Sequence, residues 1–243
     1  MANFSSWRGT AGIIKPTMRP GNLEDLIRML PRGIGIIPLF INIREGTREE
    51  FSQVIEAYEA RTAELAEAGI DLVHPQGAPP FMVLGRQGES ELIRKWQDKY
   101  GVKIFTSGQI HVEALKALNI KRFVGVSYFR SGDLNDTYAA YFKDAGFDVL
   151  AMRGMDVDFR KVQELSSLQV YAFIRKIVME HPEAQGIYML GPAWDTLDII
   201  EMLEADFGLP VVHATATLNW ALQKRLRVNQ PVQGFGRLLR EMP

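Results

Sequence analysis

The stretch Tyr100–Gly108 (YGVKIFTSG) has a counterpart near the end of the chain at Phe207–Thr215 (FGLPVVHAT). In both copies an aromatic residue and a glycine precede a short apolar run, which ends in small or hydroxyl-bearing residues. Ala114–Leu115 follows the first copy at the spacing at which Ala221–Leu222 follows the second. This arrangement predicts a strand that leads into a helix in each copy.

The repeat extends upstream, where a predicted strand ends in glycine before each copy. The two segments are Val73–Gly77 (VHPQG) and Tyr188–Gly191 (YMLG). The repeat therefore predicts two similar α/β halves that face each other across a cleft. We place the first half at residues 1–107 together with about 215–243, and the second at 108–214.

Short aliphatic runs alternate with amphipathic segments along the whole chain. Strands that alternate with helices, each strand almost entirely apolar, are typical of parallel sheets covered on both faces, so the predicted fold class is α/β. The predicted strands are Ala11–Ile14, Ile34–Ile43, Asp71–His74, Lys103–Thr106, Phe123–Ser127, Asp148–Ala151, Gly186–Leu190 and Pro210–His213. The predicted helices are Asn22–Leu30, Arg48–Ala68, Glu89–Tyr100, Gln109–Leu118, Leu134–Ala145, Val162–Glu180, Thr196–Phe207 and Thr217–Leu226. Thr47–Glu50 reads as a capping box at the start of the second helix.

The composition excludes several classes of function. The chain has 243 residues, 28 basic and 29 acidic side chains and no cysteine. The balanced charge argues against nucleic acid and against an anionic membrane surface as partners. The absence of cysteine removes disulfides, thiolate metal sites and cysteine nucleophiles. The longest uncharged apolar stretch, Gly33–Ile43, is too short to span a bilayer, so we expect a cytoplasmic protein.

The residues at the predicted strand ends are the candidates for a binding site, because ligands of such sheets lie outside the carboxyl ends of the strands. Backbone N–H groups at the following helix starts favour an anion. The basic residues that could add charge are Lys15, Arg19, Arg44 and Arg130. Together these features predict a pocket for a small carboxylate.

Each candidate also has a purely structural interpretation. Gly77 and Gly191 are compatible with tight turns that require positive φ. His74 and His213 end strands, where a half-buried, hydrogen-bonded histidine is at least as common as a catalytic one. We assign structural roles to His111, which lies within a helix. No pair of histidines has the spacing of a helical metal site, and we expect neither a metal nor an organic cofactor.

Further motifs make the chain resemble a known superfamily. They are Gly191–Ile200 (GPAWDTLDII), Leu203–Val212 (LEADFGLPVV), Leu118–Phe123 (LNIKRF) leading to Ser127–Tyr128, and Gly234–Leu238 (GFGRL). In order and spacing the chain is similar to the aspartate/glutamate racemase superfamily, within it to the branch of maleate isomerase and arylmalonate decarboxylase. The resemblance covers nearly the whole chain. It implies two α/β halves related by a pseudo-twofold axis, an active site between them, and action on small carboxylates without a cofactor.

The resemblance also implies a departure. The family's two cysteine positions fall on Gly77 and Gly191, and both are glycine here. A two-base racemase needs an acid/base on each face of the substrate carbon, and the adduct route of maleate isomerase needs a thiolate. Neither group is present in this chain. The hydroxyl residues after the first cysteine position are replaced by Ala78 and Pro79, whereas the family's binding tyrosine is retained as Tyr128.

These considerations favour a cofactor-independent lyase, a decarboxylase or a hydratase-like enzyme, that acts on a small carboxylate through an enediolate. The predicted catalytic residues are His213, His74, Tyr128 and Lys15; a buried Lys15 would serve as an acid/base because burial lowers the pKa of lysine. The predicted substrate-binding residues are Pro16, Thr17, Met18, Arg44, Gly77, Ala78, Tyr128, Gly191 and Pro192, with apolar walls from Phe40, Phe81, Met18 and Trp194.

Two alternatives stay open. The first is a cysteine-free isomerase or tautomerase of a small dicarboxylate, with His74 and His213 in place of the thiols. The second is a carboxylate-binding protein without catalysis. We also expect a homodimer, as the family often forms dimers.

Overall fold

A computed structural model describes residues 5–19, 22–129 and 132–243. Its first part contains β1 (Gly9–Lys15), α1 (Asn22–Met29), β2 (Ile34–Phe40), α2 (Arg48–Gln53), α3 (Ile55–Glu67), β3 (Leu72–Pro75), α4 (Ala78–Met82), α5 (Gly85–Tyr100), β4 (Lys103–Ile104) and α6 (Ser107–Ala117). The second contains β5 (Arg122–Ser127), α7 (Asp133–Asp144), β6 (Asp148–Gly154), α8 (Ser167–Glu180), β7 (Ile187–Leu190), α9 (Ile200–Phe207), β8 (Val211–His213), α10 (Ala214–Arg225) and α11 (Arg237–Glu241).

The strands form two four-stranded sheets with the same topology. The order is β2-β1-β3-β4 in the first sheet and β6-β5-β7-β8 in the second, and every pair is parallel. The interior strands are almost wholly buried, which is the pattern of parallel strands with helices on both faces. The repeat in the sequence is therefore a repeat of the fold, and the predicted α/β class with two similar halves is confirmed. The residue boundaries of the halves stay predictions.

The eight predicted strands all occur, with ends shifted by a few residues. The largest shifts at one end are three residues: β6 ends at Gly154 rather than at Ala151, and β2 ends at Phe40 rather than at Ile43. β2 lies at the edge of its sheet, and the N–H of Ile41 donates to the Lys15 carbonyl at 2.8 Å. Since bonding alternates along a strand, Pro38 lies at a position whose missing N–H faces away from β1, where proline is tolerated on an edge.

Two predicted helices are each divided in the structure. The segment Arg48–Ala68 becomes α2 and α3, which meet at Val54. The segment Val162–Glu180 becomes a 3₁₀ turn at Phe159–Glu164 and α8. A second capping box causes this break, since Ser166 and Gln169 bond each other's backbone N–H and start α8 anew.

The capping box predicted at Thr47 is present only in part. The Thr47 hydroxyl accepts from the Glu50 N–H at 3.2 Å. The Glu50 carboxylate does not return to the Thr47 N–H, and it accepts instead from the N–H groups of Arg44, Glu45 and Gly46 at 2.7–3.0 Å. The carboxylate accepts three hydrogen bonds from the preceding turn, whereas the capping box would give it only the one from the Thr47 N–H.

The sequence missed two short helices, α4 and α11. Each has five residues, and α4 contains Pro79 and Pro80 in its first turn, which a sequence pattern presents as a loop. Among the described residues no helix is both long enough and apolar enough to cross a membrane.

Candidate active site

A small buried cavity lies between the two sheets, beyond the carboxyl ends of β3 and β7. Its volume is about 10 Å³, which is the room that one water molecule occupies. The lining comes from both halves: His74, Gln76, Ala78, Ser107 and His111 on one side, and Gly191, Pro192, Ala214 and Leu218 on the other. The structure thus brings five predicted site residues to one place, namely His74, Ala78, Gly191 and Pro192 in the lining and Gly77 in the adjoining backbone.

His74 ends β3, and its ring is held by two hydrogen bonds. Nδ1 lies 2.8 Å from the Phe105 carbonyl oxygen, and Nε2 lies 3.3 Å from Oγ of Ser107. A carbonyl can only accept, so Nδ1 carries the proton and the unprotonated Nε2 accepts from the Ser107 hydroxyl. Burial lowers the pKa of His74 to about 3, and the nearby Arg225 charge acts in the same direction. His74 is therefore a neutral base that faces a hydroxyl.

Ser107 is a site residue that the sequence analysis did not select. It is the first residue of α6, and the Thr106 hydroxyl caps that helix in a capping box with Gln109. Its Oγ also accepts from the Gly77 N–H at 3.3 Å. The signal in the sequence was the Thr-Ser-Gly run at the end of the fourth predicted strand, but only the fold shows that this run meets His74.

His111 is the second site residue that sequence reasoning missed, because a histidine within a helix gives no sign of facing a cavity. Its Nδ1 lies 2.9 Å from the Tyr188 hydroxyl, while its buried Nε2 has no hydrogen-bond partner among the described residues. Oε1 of Gln76 is likewise buried and unpaired within the described part of the chain. Both residues line the cavity. An unpaired buried polar atom is costly, and a hydrogen-bonding group held between these two residues would lower that cost.

Tyr128 explains why position 191 is a glycine. A Cβ built on Gly191 would lie 2.4 Å from a ring carbon of Tyr128 and 2.5 Å from its hydroxyl oxygen. The Tyr128 ring is buried and packs edge-on against Trp194 at 5.2 Å between centroids. Burial raises the pKa of its phenol, while the Arg19 charge and the Ala193 backbone N–H act in the opposite direction. The tyrosine therefore occupies the space in which a side chain at the second cysteine position would lie.

Gly77 is less crowded but equally constrained in its backbone. Its φ of +113° lies in the region that favours glycine, and a Cβ there would meet the Tyr58 hydroxyl at 3.1 Å and the Pro16 ring at 3.6 Å. The helix that follows, α4, begins with Ala78, Pro79 and Pro80. The prolines have no N–H, so the backbone donors at this helix start are those of Gly77 and Ala78 alone.

His213 lies outside the cavity lining. As the N-cap of α10 it accepts the Thr215 N–H at its Nδ1, 3.2 Å away. The protonated Nε2 then donates to Oγ1 of Thr196 at 3.0 Å. Burial lowers the pKa of His213 to about 4. Both ring nitrogens are thus engaged within the protein, and the catalytic role predicted for His213 stays a prediction.

The other predicted residues form the rim or lie away from the cavity. Lys15 is buried; its Nζ donates to the Arg19 carbonyl at 2.6 Å, and burial lowers its pKa. Together with Met18 and Phe40 it lines an open, largely apolar groove at the carboxyl ends of β1 and β2. Met18 is 69% exposed, whereas Thr17 is buried beside it.

Arg44 and Phe81, two further members of the predicted pocket, do not reach the cavity. Arg44 is exposed, and with the Asn42 amide turned to satisfy both groups its guanidinium donates to the amide oxygen at 2.9 and 3.0 Å. Phe81 packs in the core against Tyr58 at 5.1 Å between centroids. Arg130 lies outside the described residues. No group of three or more metal-ligating side chains occurs among residues 5–19, 22–129 and 132–243.

The packing of Tyr128 on Gly191 gives a direct test. We expect Gly191→Cys to lower the free energy of unfolding by about 2–4 kcal/mol, because it forces a side chain into an occupied volume at positive φ. The matched control is Gly101→Cys, since Gly101 also has positive φ (+65°) but no atom within 4 Å of its would-be Cβ. We expect the control to lose about 1 kcal/mol from backbone strain alone. Urea unfolding measures both, and equal losses would show that Tyr128 does not fill the space.

Comparison with known proteins agrees with this architecture. The sequence model of the arylmalonate decarboxylase family matches residues 25–239. A maleate isomerase from Nocardia farcinica is 30% identical over 132 residues, which are 54% of this chain and 51% of the relative. The chain thus spans about half the length of that relative. A maleate isomerase from Pseudomonas putida is 23% identical over 205 residues, covering 82% of this chain and 81% of the relative.

Solved structures show the same fold. A maleate isomerase from Pseudomonas putida superposes with a TM-score of 0.87 at 19% identity and covers 97% of this chain and 99% of its own. Arylmalonate decarboxylase superposes with a TM-score of 0.83 at 19% identity over 96% of this chain and 99% of its own. At such identity these structures establish the fold alone. The family match over nearly the whole chain, together with the two-sheet topology, shows that the chain belongs to the arylmalonate decarboxylase family.

Proposed function

We propose that this protein is a cofactor-independent decarboxylase of a small carboxylate, and that His74 and Ser107 take the place of the family's thiols. The observation that carries the proposal is the His74–Ser107 contact of 3.3 Å in a buried cavity that also holds two unpaired polar atoms. The relatives are isomerases and decarboxylases, and this chain has no cysteine for a thiol mechanism. A different acid/base must therefore supply the proton.

The cavity has room for one water molecule, so we propose that it widens when the substrate binds. Its lining suits the loss of a carboxylate because it combines apolar walls with a few donors. Pro192, Ala214 and Leu218 are apolar and leave a departing carboxylate poorly solvated. The donors that we assign to the remaining carboxylate are the Ala78 N–H and the Ser107 hydroxyl, which no longer donates to Nε2 once His74 is protonated. The Tyr128 hydroxyl lies beside Gly191 and outside the lining. A well-placed donor of this kind contributes about 3–4 kcal/mol to an oxyanionic transition state.

The proton comes from His74. In the free protein its ring is neutral, since burial opposes its charge. An anionic substrate supplies the opposite charge that the cavity lacks, so binding raises the pKa of the ring and brings a proton with it. The C–C bond then breaks, its electron pair stays on the α-carbon as an enediolate, and CO₂ leaves. The imidazolium at Nε2 returns its proton to that carbon, directly or through the Ser107 hydroxyl, and the ring is neutral again.

An isomerase or tautomerase is the second candidate. Two histidines, His74 and His111, line one cavity, and the Nε2 of His111 is unpaired within the described residues. A pair of bases can take a proton from one carbon and deliver it to another without losing a carboxylate. The maleate isomerase relatives make this alternative specific to a small dicarboxylate.

Proton NMR in heavy water separates these functions. The protein is incubated with substituted malonates, maleate, hydroxy acids and unsaturated lactone acids. We expect loss of a carboxylate with one deuteron placed on the α-carbon. Interconversion of isomers, or α-deuteration without loss of a carboxylate, would replace the decarboxylase by the isomerase. No reaction, with thermal stabilisation by one compound, would show a binding protein instead.

A further inference from the structure

A groove of about 540 Å³ lies along the edge strand β4 between α5 and α6, and Tyr141 of α7 also lines it. The four cations that line it come from three elements: Arg86 and Arg94 on α5, Lys103 on β4 and Arg225 on α10. Sequence reasoning gave these residues no role. We name this surface the cationic groove.

The positive charge of the cationic groove is incompletely balanced. Arg94 and Lys103 are exposed, and neither forms an ion pair in the part of the chain that the structure describes. Nε of Arg86 lies 3.5 Å from Asp144, but its Nη1 is buried and has no acceptor among the described residues. A buried guanidinium nitrogen without an acceptor is a costly arrangement that an anionic oxygen would relieve.

The two carboxylates in the cationic groove do not cancel this charge. Glu113 is engaged by Arg225, whose Nη2 lies 2.8 and 3.0 Å from its two oxygens. Glu89 is buried, and its oxygens accept from the hydroxyls of Thr106 and Tyr141 at 2.5 Å each. Burial raises the pKa of Glu89, whereas the two hydroxyl donors and the Arg86 charge act in the opposite direction. Two exposed cations and one orphaned nitrogen thus remain for a ligand.

The cationic groove touches the candidate active site through a stack of three side chains. The Arg225 guanidinium lies over the Phe105 ring, with its Cζ 4.3 Å from the centroid. Phe105 also stacks on the His74 ring, at 4.9 Å between centroids and 27° between planes. Any ligand that moves Arg225 or neutralises its charge therefore acts on the ring next to His74.

We propose that the cationic groove binds a polyvalent oxyanion, a phosphate ester or a polycarboxylate, and that its occupancy changes the environment of His74. Two or more negative charges on one molecule would meet Arg94 and Lys103 at the rim and Arg86 at the floor. This site is separate from the cavity of the proposed reaction, so binding is measurable whether or not the decarboxylase proposal holds.

The test uses inorganic pyrophosphate and citrate as probes in a buffer of low ionic strength, with calorimetry as the readout. The variant is the double substitution Arg94→Gln and Lys103→Gln, and the matched control is Lys116→Gln with Lys121→Gln, two exposed lysines outside the cationic groove. We expect saturable 1:1 binding to the wild type and the control. The groove variant should bind roughly tenfold more weakly, because each exposed charge pair contributes about threefold. The probe that binds with the higher affinity shows whether the cationic groove prefers a phosphate or a carboxylate ligand.

A second readout follows the imidazole nitrogens of His74 by ¹⁵N NMR during the titration. Saturating probe should shift the His74 signals in the wild type and the control, and not in the groove variant at the same concentration. Absence of binding by both probes would overturn the proposal. Equal affinities of the groove variant and the control would also overturn it, because Arg94 and Lys103 would then not be the charges that bind the probe. Binding without any shift at His74 would remove the link to the active site.

Discussion

His74→Asn is expected to lower the turnover of the decarboxylated substrate by about 1,000-fold, the range in which a single general acid/base contributes. Asparagine can keep an N–H near the position of Nδ1 for the Phe105 carbonyl, which the ring now bonds at 2.8 Å. It has no counterpart of Nε2, the atom that faces Ser107. The substitution therefore removes the proton-transfer atom while it retains the buried hydrogen bond, and single-turnover CO₂ release measures the loss.

The same substitution at His213 is the matched control, because both histidines are 1% exposed and only His74 lines the cavity. An asparagine at position 213 still caps α10. It leaves the Thr196 hydroxyl without its 3.0 Å partner, so we expect a loss of about 1–3 kcal/mol in the free energy of unfolding and near-wild-type turnover. If His213→Asn abolished turnover in folded protein and His74→Asn did not, the acid/base would be His213 and the assignment to His74 would be wrong.

Acid should unfold this protein unusually steeply. Burial holds the pKa of His74 and His111 at about 3 and that of His213 at about 4, whereas an unfolded histidine has a pKa of 6.5. Below pH 6.5 the unfolded chain therefore binds protons that the folded chain does not. Because the pKa values of these bases are lowered in the folded state, the free energy of unfolding is retained above pH 6.5 and decreases as the pH falls toward 4.

The slope gives the magnitude of this effect. Three protons taken up on unfolding correspond to about 4 kcal/mol per pH unit, against a total stability of about 5–15 kcal/mol for a folded domain. Urea midpoints measured between pH 4.5 and 7.5 should fall accordingly. His111→Asn and His213→Asn should each reduce the slope by about 1.4 kcal/mol per pH unit. Slopes that are the same in the wild type and both variants would show that the rings are protonated in the folded protein.

The local sequence pattern was sufficient to predict most of the secondary structure and to recognise the family. Runs such as that of β3 are apolar at nearly every position because both faces of a parallel strand are buried, and this signal survives without any knowledge of the partner strand. Helix breaks were harder to foresee. The break before α8 depends on one capping box, and helical periodicity continues on both sides of it.

Part of the candidate site could likewise be predicted from the sequence. The sequence placed His74, Gly77 and Gly191 at strand ends, and strand ends of a parallel sheet converge by topology. The sequence also determined, through the absence of cysteine, that the family's thiol chemistry does not operate in this chain. The roles of the individual residues stay predictions that the variants above test.

Only the tertiary structure decided which side chains meet. Ser107 reaches His74 across 33 residues, and Tyr128 fills the space above Gly191, because packing between distant segments fixes these contacts. His111 lines the cavity and its Nε2 has no partner among the described residues, whereas both ring nitrogens of His213 are hydrogen-bonded, to the Thr215 N–H and to Thr196. Ser107, His111 and His213 lie on helices or strands and Tyr128 directly follows β5, and the local sequence patterns there are ordinary. A local pattern reports burial, but the direction of a buried polar atom and the identity of its partner are set by the whole fold.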